Sequence, residues 1–151
     1  MSDTPEQQLK AFIAAYTPEM AKQIRAARKR MRALFPHGHE LVYDNYNALA
    51  LGYAATPRAS DALLSIAAYP RWVSLFFLRG AGFADPQGVL KGSGSKVRHI
   101  VLDTGMAAFD KPEVQHFIAL ALAPHNAALA QAGKLQTVIK SVSAKQRSRR
   151  P

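Results

Sequence analysis

Strand-like segments follow one another closely between residues 41 and 102. They are mostly apolar and are separated by or contain Pro, Gly, Asn or Asp. The predicted strands are residues 41–45, 47–53, 63–69, 72–78 and 97–102; one long bent strand is the alternative for the first two, and two strands are favoured. Three of the four connections are shorter than the dozen or so residues that a crossover between parallel neighbours needs. The sequence therefore predicts an antiparallel sheet of about five strands, arranged as a meander.

Helix-start signals precede this region. Thr4 and Thr17 are each followed by Pro and then by Glu. This order is typical of an N-cap, a first helical position and an acid near the positive end of the helix dipole. The pattern predicts two N-terminal helices, the first running to residue 16 and the second ending before Pro36.

A C-terminal helix and a last strand are predicted after the meander. The helix begins at Pro112, kinks or restarts at Pro124 and ends at Gly133. Residues 135–142 alternate well enough for a final edge strand. The predicted class is thus α+β, with the C-terminal helix packed on one face of the sheet. One domain is expected over residues 1–142, and residues 143–151 are predicted to be a flexible basic tail.

The composition narrows the possible chemistry. The sequence has no cysteine, which excludes disulfides, thiolate nucleophiles and cysteine-ligated metal sites. It shows neither a secretory signal pattern nor an apolar run of about eighteen residues. We therefore expect a cytoplasmic protein with no membrane partner, as a monomer or a homodimer.

Basic residues outnumber acidic ones by 20 to 10, which gives a formal net charge of +10. Four of them form a stripe on the second predicted helix: Lys22, Arg25, Lys29 and Arg32. Such a stripe attracts anions and is long enough to contact several phosphates along a nucleic-acid backbone. Non-specific nucleic-acid binding through the helix and the tail is therefore one alternative function. Solubility is the other interpretation of the charge.

Glycine, hydroxyl and cationic residues are concentrated in the loop before residues 97–102. The candidate ligand-binding residues in this glycine-rich loop are Lys91, Ser93, Ser95, Lys96 and Arg98. Backbone N–H groups, hydroxyls and cations together can surround an oxyanion. The spacing is not that of a P-loop, and the loop runs into a strand. We expect a non-catalytic domain that binds a small anionic ligand or an acidic protein partner here; a plain hairpin loop is the alternative.

Three aromatic residues complete the candidate ligand-binding set: Tyr43, Tyr46 and Trp72. On an open sheet face, such side chains could line a shallow groove together with Arg79 and Arg98. Tyrosines on a sheet are more often core residues with the hydroxyl at the rim. The strand register decides between the two, because a slip of one residue reverses every face.

Two further groups of residues give only weak evidence for a metal site or a catalytic site. The segment His37-Gly38-His39-Glu40 holds three possible metal ligands, but no second cluster is evident in the sequence. A loop that ends the helix is therefore favoured, and neither a metal nor a cofactor is predicted. The serines of the glycine-rich loop lie near His99 without a nucleophile-elbow pattern, so no catalytic residue is assigned.

A family resemblance is carried by the order of the elements and by three segments: FFLRG at a strand end, GSGSKVRHI, and the closing VIKSVSAKQRSRRP. These resemble the YdhG-like family of small bacterial domains of unknown function, over nearly the whole chain. The resemblance implies two N-terminal helices, an antiparallel sheet of about five strands and a C-terminal helix packed across it. One branch of the family is described as a frataxin-like iron chaperone. The resemblance therefore also implies iron handling as an alternative function.

Overall fold

A computed structural model describes residues 3–151 and shows helices packed on a single sheet. The helices are α1 (Pro5–Ala14), α2 (Pro18–Leu34), α3 (Ala107–Asp110), α4 (Pro112–Leu122) and α5 (Asn126–Gln131). The strands are β1 (His39–Asp44), β2 (Leu49–Ala54), β3 (Leu64–Ala68), β4 (Val73–Phe77), β5 (Arg98–Leu102) and β6 (Gln136–Val142). The α+β class and the two N-terminal helices are confirmed.

The sheet has six strands in the order β5-β4-β3-β2-β1-β6. Strands β1 to β5 form the predicted antiparallel meander. Strand β6, however, pairs parallel to β1, so the prediction of a purely antiparallel sheet is wrong at this edge. The physical reason is the connection: residues 103–135 contain three helices and form the long crossover that a parallel strand requires.

The helix signals act as the sequence predicts. The hydroxyl oxygens of Thr4 and Thr17 accept hydrogen bonds from the backbone N–H groups of Gln7 and Met20, at 3.1 and 3.2 Å. At the other end of the chain, Pro124 lies in a short 3-10 turn between α4 and α5, where the helix restarts.

The helices cover one face of the sheet. A row of paired residues crosses the middle of this face: Val42, Leu51, Ile66, Leu75 and Ile100. Leu9 of α1, Ile24 of α2 and Phe117 of α4 belong to the same buried cluster. A smaller cluster on the opposite face joins Leu41 and Ala54 to Ala62. In the described part of the chain, no helix is both long enough and apolar enough to cross a membrane.

Residues 143–151, which were expected to be a flexible tail, lie against the domain as a strap. The Arg149 side chain is buried, with 5% of the residue exposed. Its guanidinium donates to Asp44 Oδ1 at 2.9 Å and to the carbonyl oxygens of Asn45 and Tyr46. The Tyr16 ring lies 5.8 Å from the same group. A buried carboxylate at the end of β1 needs a cationic partner, and the strap supplies it.

Candidate ligand-binding site

The strand register divides the candidate residues between two ends of the sheet. Arg98, where β5 begins, pairs with Phe77 at the end of β4. We call this the loop end, because the glycine-rich loop leads into it. The β1–β2 and β3–β4 turns lie at the opposite end, which we call the strap end.

The glycine-rich loop is an exposed extension of the β4–β5 hairpin. Lys91 and His99 exchange two backbone hydrogen bonds of 2.8 and 2.9 Å at its base. The Arg98 guanidinium donates to the carbonyl oxygens of Gly94 and Val97, at 2.6 and 2.8 Å. Arg98 therefore shapes the loop from within. The side chains of the other four candidates remain exposed to solvent: Lys91, Ser93, Ser95 and Lys96.

A cleft of about 340 Å³ lies beside this loop, between the end of β4 and the C-terminal helices. We call it the Arg79 cleft. Its lining is mostly apolar, with one guanidinium and one imidazole: Leu63, Phe77, Arg79, Phe83, Leu120, Ala121, Pro124 and His125. A cavity of this size and composition is typical of small-molecule sites.

Aromatic packing builds the wall of the Arg79 cleft. The rings of Phe83 and Phe117 stack with centroids 5.9 Å apart, and Phe77 meets Phe83 edge-on at 6.2 Å. The chain turns sharply after β4 at Gly80, where a Cβ atom would lie 2.9 Å from the Arg98 Cβ. The close approach at Gly80 holds this segment against the start of β5.

Arg79 supplies the charge of the cleft. Its side chain is exposed, and among residues 3–151 it makes no ion pair. The glycine-rich loop is fixed to the same segment, since the backbone N–H of Ala81 donates to the Lys96 carbonyl at 3.0 Å. A guanidinium without an acidic partner in the described residues thus stands at the edge of an apolar cavity, an arrangement that suits a carboxylate with an apolar body.

The aromatic candidates lie away from the glycine-rich loop. Tyr46 is in the β1–β2 turn and Trp72 is in the β3–β4 turn, both at the strap end. Tyr43 is on β1, on the face opposite the helices, and its buried hydroxyl has no hydrogen-bond partner in the described structure. Burial raises the pKa of Tyr43. The structure therefore does not gather the eight candidates into one site.

The three possible metal ligands do not converge. His37 Nδ1 lies 2.9 Å from the Ala132 carbonyl oxygen, and His39 lies on the sheet face opposite Glu40. Glu40 is fully buried on the helix side, where it is already hydrogen-bonded. Within residues 3–151, no group of three or more His, Asp and Glu side chains is arranged to hold a metal ion.

Glu40 is the centre of a buried charge cluster. It accepts hydrogen bonds from Arg28 at 2.8 Å, Arg32 at 2.9 Å, the Tyr53 hydroxyl at 2.6 Å and Thr137 at 2.8 Å. Arg28 also forms a bidentate pair with Glu6. The cluster joins α1, α2, β1, β2 and β6, and no substrate can reach the fully buried carboxylate. Its role is to hold the layers together.

The pKa values in this cluster follow from burial and pairing. Burial alone would raise the pKa of Glu40, but hydrogen bonds from Arg28 and Tyr53 hold it below its ordinary value. The Arg28 hydrogen bond likewise lowers the pKa of Glu6. Burial and the neighbouring Glu40 raise the pKa of Tyr53 well above its ordinary range. Glu40 is therefore charged and Tyr53 neutral near neutral pH.

The basic stripe on α2 is shorter than the sequence suggests. Lys22, Arg25 and Lys29 are exposed, and in the described part of the chain they form no ion pairs. Arg32 turns instead toward Glu40. The exposed stripe thus spans about 10 Å at 1.5 Å per residue.

Comparisons with protein-family models, with curated proteins and with solved structures find no match to this chain. The resemblance to the YdhG-like family therefore stays a prediction, and the function has to be argued from the geometry alone.

Proposed function

We propose that this protein is a non-catalytic binding domain for a small carboxylate with an apolar body, held in the Arg79 cleft. The observation that carries the proposal is the guanidinium of Arg79, which stands without an acidic partner in the described structure beside an apolar cavity. The proposal keeps the sequence-based expectation of a small anion near the glycine-rich loop. It moves the site from the loop itself to the cleft beside it.

The chemistry of the lining favours a carboxylate over a phosphate. A guanidinium presents parallel N–H donors that match the two oxygens of a carboxylate. A phosphate dianion would lose more solvation in a cavity whose walls are Phe77, Phe83 and Leu120. The apolar part of the ligand would lie against these rings, where burial stabilises it.

Matched ligands test the proposal. Small ligands gain about 0.3 kcal/mol of binding free energy per non-hydrogen atom. The carboxylate 4-phenylbutyrate, with about 12 such atoms, should therefore bind with about 4 kcal/mol, which corresponds to a Kd near 1 mM. Isothermal titration calorimetry should show this binding. The alcohol 4-phenylbutanol, which lacks the charge, and acetate, which lacks the apolar body, should each bind at least tenfold more weakly.

Two variants separate the charge from the cavity. Arg79→Gln should abolish most of the 4-phenylbutyrate affinity, while Arg71→Gln, an exposed arginine at the strap end, should leave it unchanged. Ala121→Leu should fill the cleft and block binding with Arg79 still present. Equal affinity of Arg79→Gln and the parent chain would refute the proposal.

A further inference from the structure

The strap end carries two exposed aromatic side chains. Tyr46 in the β1–β2 turn is 48% exposed, and Trp72 in the β3–β4 turn is 42% exposed. Trp72 stacks on Tyr69 with ring centroids 4.7 Å apart, which fixes the orientation of its ring. The two turns are two strand spacings apart in the sheet, or about 10 Å. One short oligomer can therefore reach both aromatic side chains.

Four exposed cationic residues belong to the strap end. The Arg147 guanidinium lies 5.8 Å from the centroid of the Tyr46 ring, and Arg71 is the exposed neighbour of Trp72 in the chain. Lys145 and Arg150 are exposed on the strap. In the part of the chain that the structure describes, none of these four cations forms an ion pair. Their charge is free to meet an anion.

The strap holds its cations in place. Arg149 is buried against Asp44, and the backbone N–H groups of Ser143 and Arg147 donate to the carbonyls of Asp44 and Tyr46, each at 2.9 Å. Arg147 is thus kept next to Tyr46, and the Arg150 Nε donates to the Ala15 carbonyl at 3.3 Å. A mobile basic arm would attract anions equally well but would not position them against an aromatic ring.

We infer that the strap end binds single-stranded nucleic acid, with bases stacked on Tyr46 and Trp72 and phosphates held by the strap cations. Unpaired bases expose the flat faces that aromatic side chains stack on, whereas a duplex keeps those faces covered. Phosphates at regular spacing supply the anions for a row of cations. This surface lies at the opposite end of the sheet from the Arg79 cleft, so the two proposals can fail separately.

The chain has a single tryptophan, which makes Trp72 a built-in reporter. Titration of the intact protein with an oligothymidylate of about twelve nucleotides at low salt should quench the Trp72 fluorescence, because a base stacks on the ring. Heparin is a polyanion that has no bases. It should bind the same cations without comparable quenching of the Trp72 fluorescence. A duplex of the same length should bind more weakly than the single strand.

Anisotropy of a labelled oligothymidylate tests the named residues. Tyr46→Ala and Trp72→Ala should each reduce affinity by roughly 5- to 150-fold, since a stacked base is worth about that factor. Arg147→Ala should lower the salt slope by about one, whereas Lys96→Ala at the loop end should leave it unchanged. The inference is overturned if binding leaves Trp72 fluorescence unchanged, if the duplex binds as tightly, or if no binding is tighter than roughly 0.1 mM.

Discussion

The Glu40 side chain on β1 joins residues of α2, β2 and β6. Its carboxylate is fully buried and accepts hydrogen bonds from two arginines, a tyrosine and a threonine. Glu40→Gln keeps the shape but removes the buried charge that pairs with Arg32 and that shares Arg28 with Glu6. We expect a loss of about 1–3 kcal/mol in the free energy of unfolding, measured by urea denaturation at pH 7, because hydrogen bonds to a buried carboxylate are weakened while Arg28 keeps Glu6.

Asp110→Asn is the matched control, because the Arg30–Asp110 pair is exposed at the surface. It should leave the urea midpoint nearly unchanged. If both variants unfold at the same urea concentration as the parent chain, Glu40 does not have the structural role assigned to it.

Acid should destabilise the protein through the same cluster. The pKa values of Glu40 and Glu6 are lower in the folded chain than their ordinary value of 4.5. The stability they provide is therefore fully present above about pH 5. It is lost as the pH falls through 4.5 toward the folded values, because the unfolded chain then binds more protons. Urea midpoints measured from pH 7 to pH 3 should fall in this window, and the fall should be smaller in Glu40→Gln.

The sequence contained only part of the signal for this cluster. Glu40 stands next to the apolar residues Leu41 and Val42 in a predicted strand, and a charge in such a place needs a partner. Arg28 and Arg32 lie one helical turn apart on α2, but their partner depends on which face of β1 meets the helix. Only the strand register settles that, and the register depends on tertiary packing.

The strap, residues 143–151, differs most from its sequence-based prediction. A basic, weakly apolar segment predicts disorder, yet Arg149 is buried because Asp44, more than a hundred residues earlier, is its partner. Arg149→Ala should leave that carboxylate buried and uncompensated, at a cost of about 3–5 kcal/mol in the free energy of unfolding. Thermal and urea unfolding should both show the loss.

Truncation after Val142 should destabilise the domain in the same way, since it removes Arg149. Arg147→Ala, two residues away on an exposed part of the strap, is the matched control and should unfold at the parent midpoint. Parent-like stability of the truncated chain would mean that residues 143–151 are a free tail after all.

Across the whole chain, local sequence patterns predict the helices and strands better than they predict how these elements pack together. The helix starts, the meander and the restart at Pro124 follow from residues close in sequence. The parallel pairing of β6 and the Arg79 cleft depend on contacts between distant segments. Arg79 was recognised in the sequence as a possible groove residue. Nothing local in the sequence places Leu120 and Ala121 of α4 beside it.

Amide chemical-shift mapping can show whether a small carboxylate binds in the Arg79 cleft, as we propose. Addition of 4-phenylbutyrate to ¹⁵N-labelled protein should shift a compact set of amides around Arg79, Phe83, Leu120 and His125. Acetate at the same concentration should not reproduce this set. Shifts that instead spread over the exposed cations of α2 and the strap, equally for both ligands, would contradict the claim.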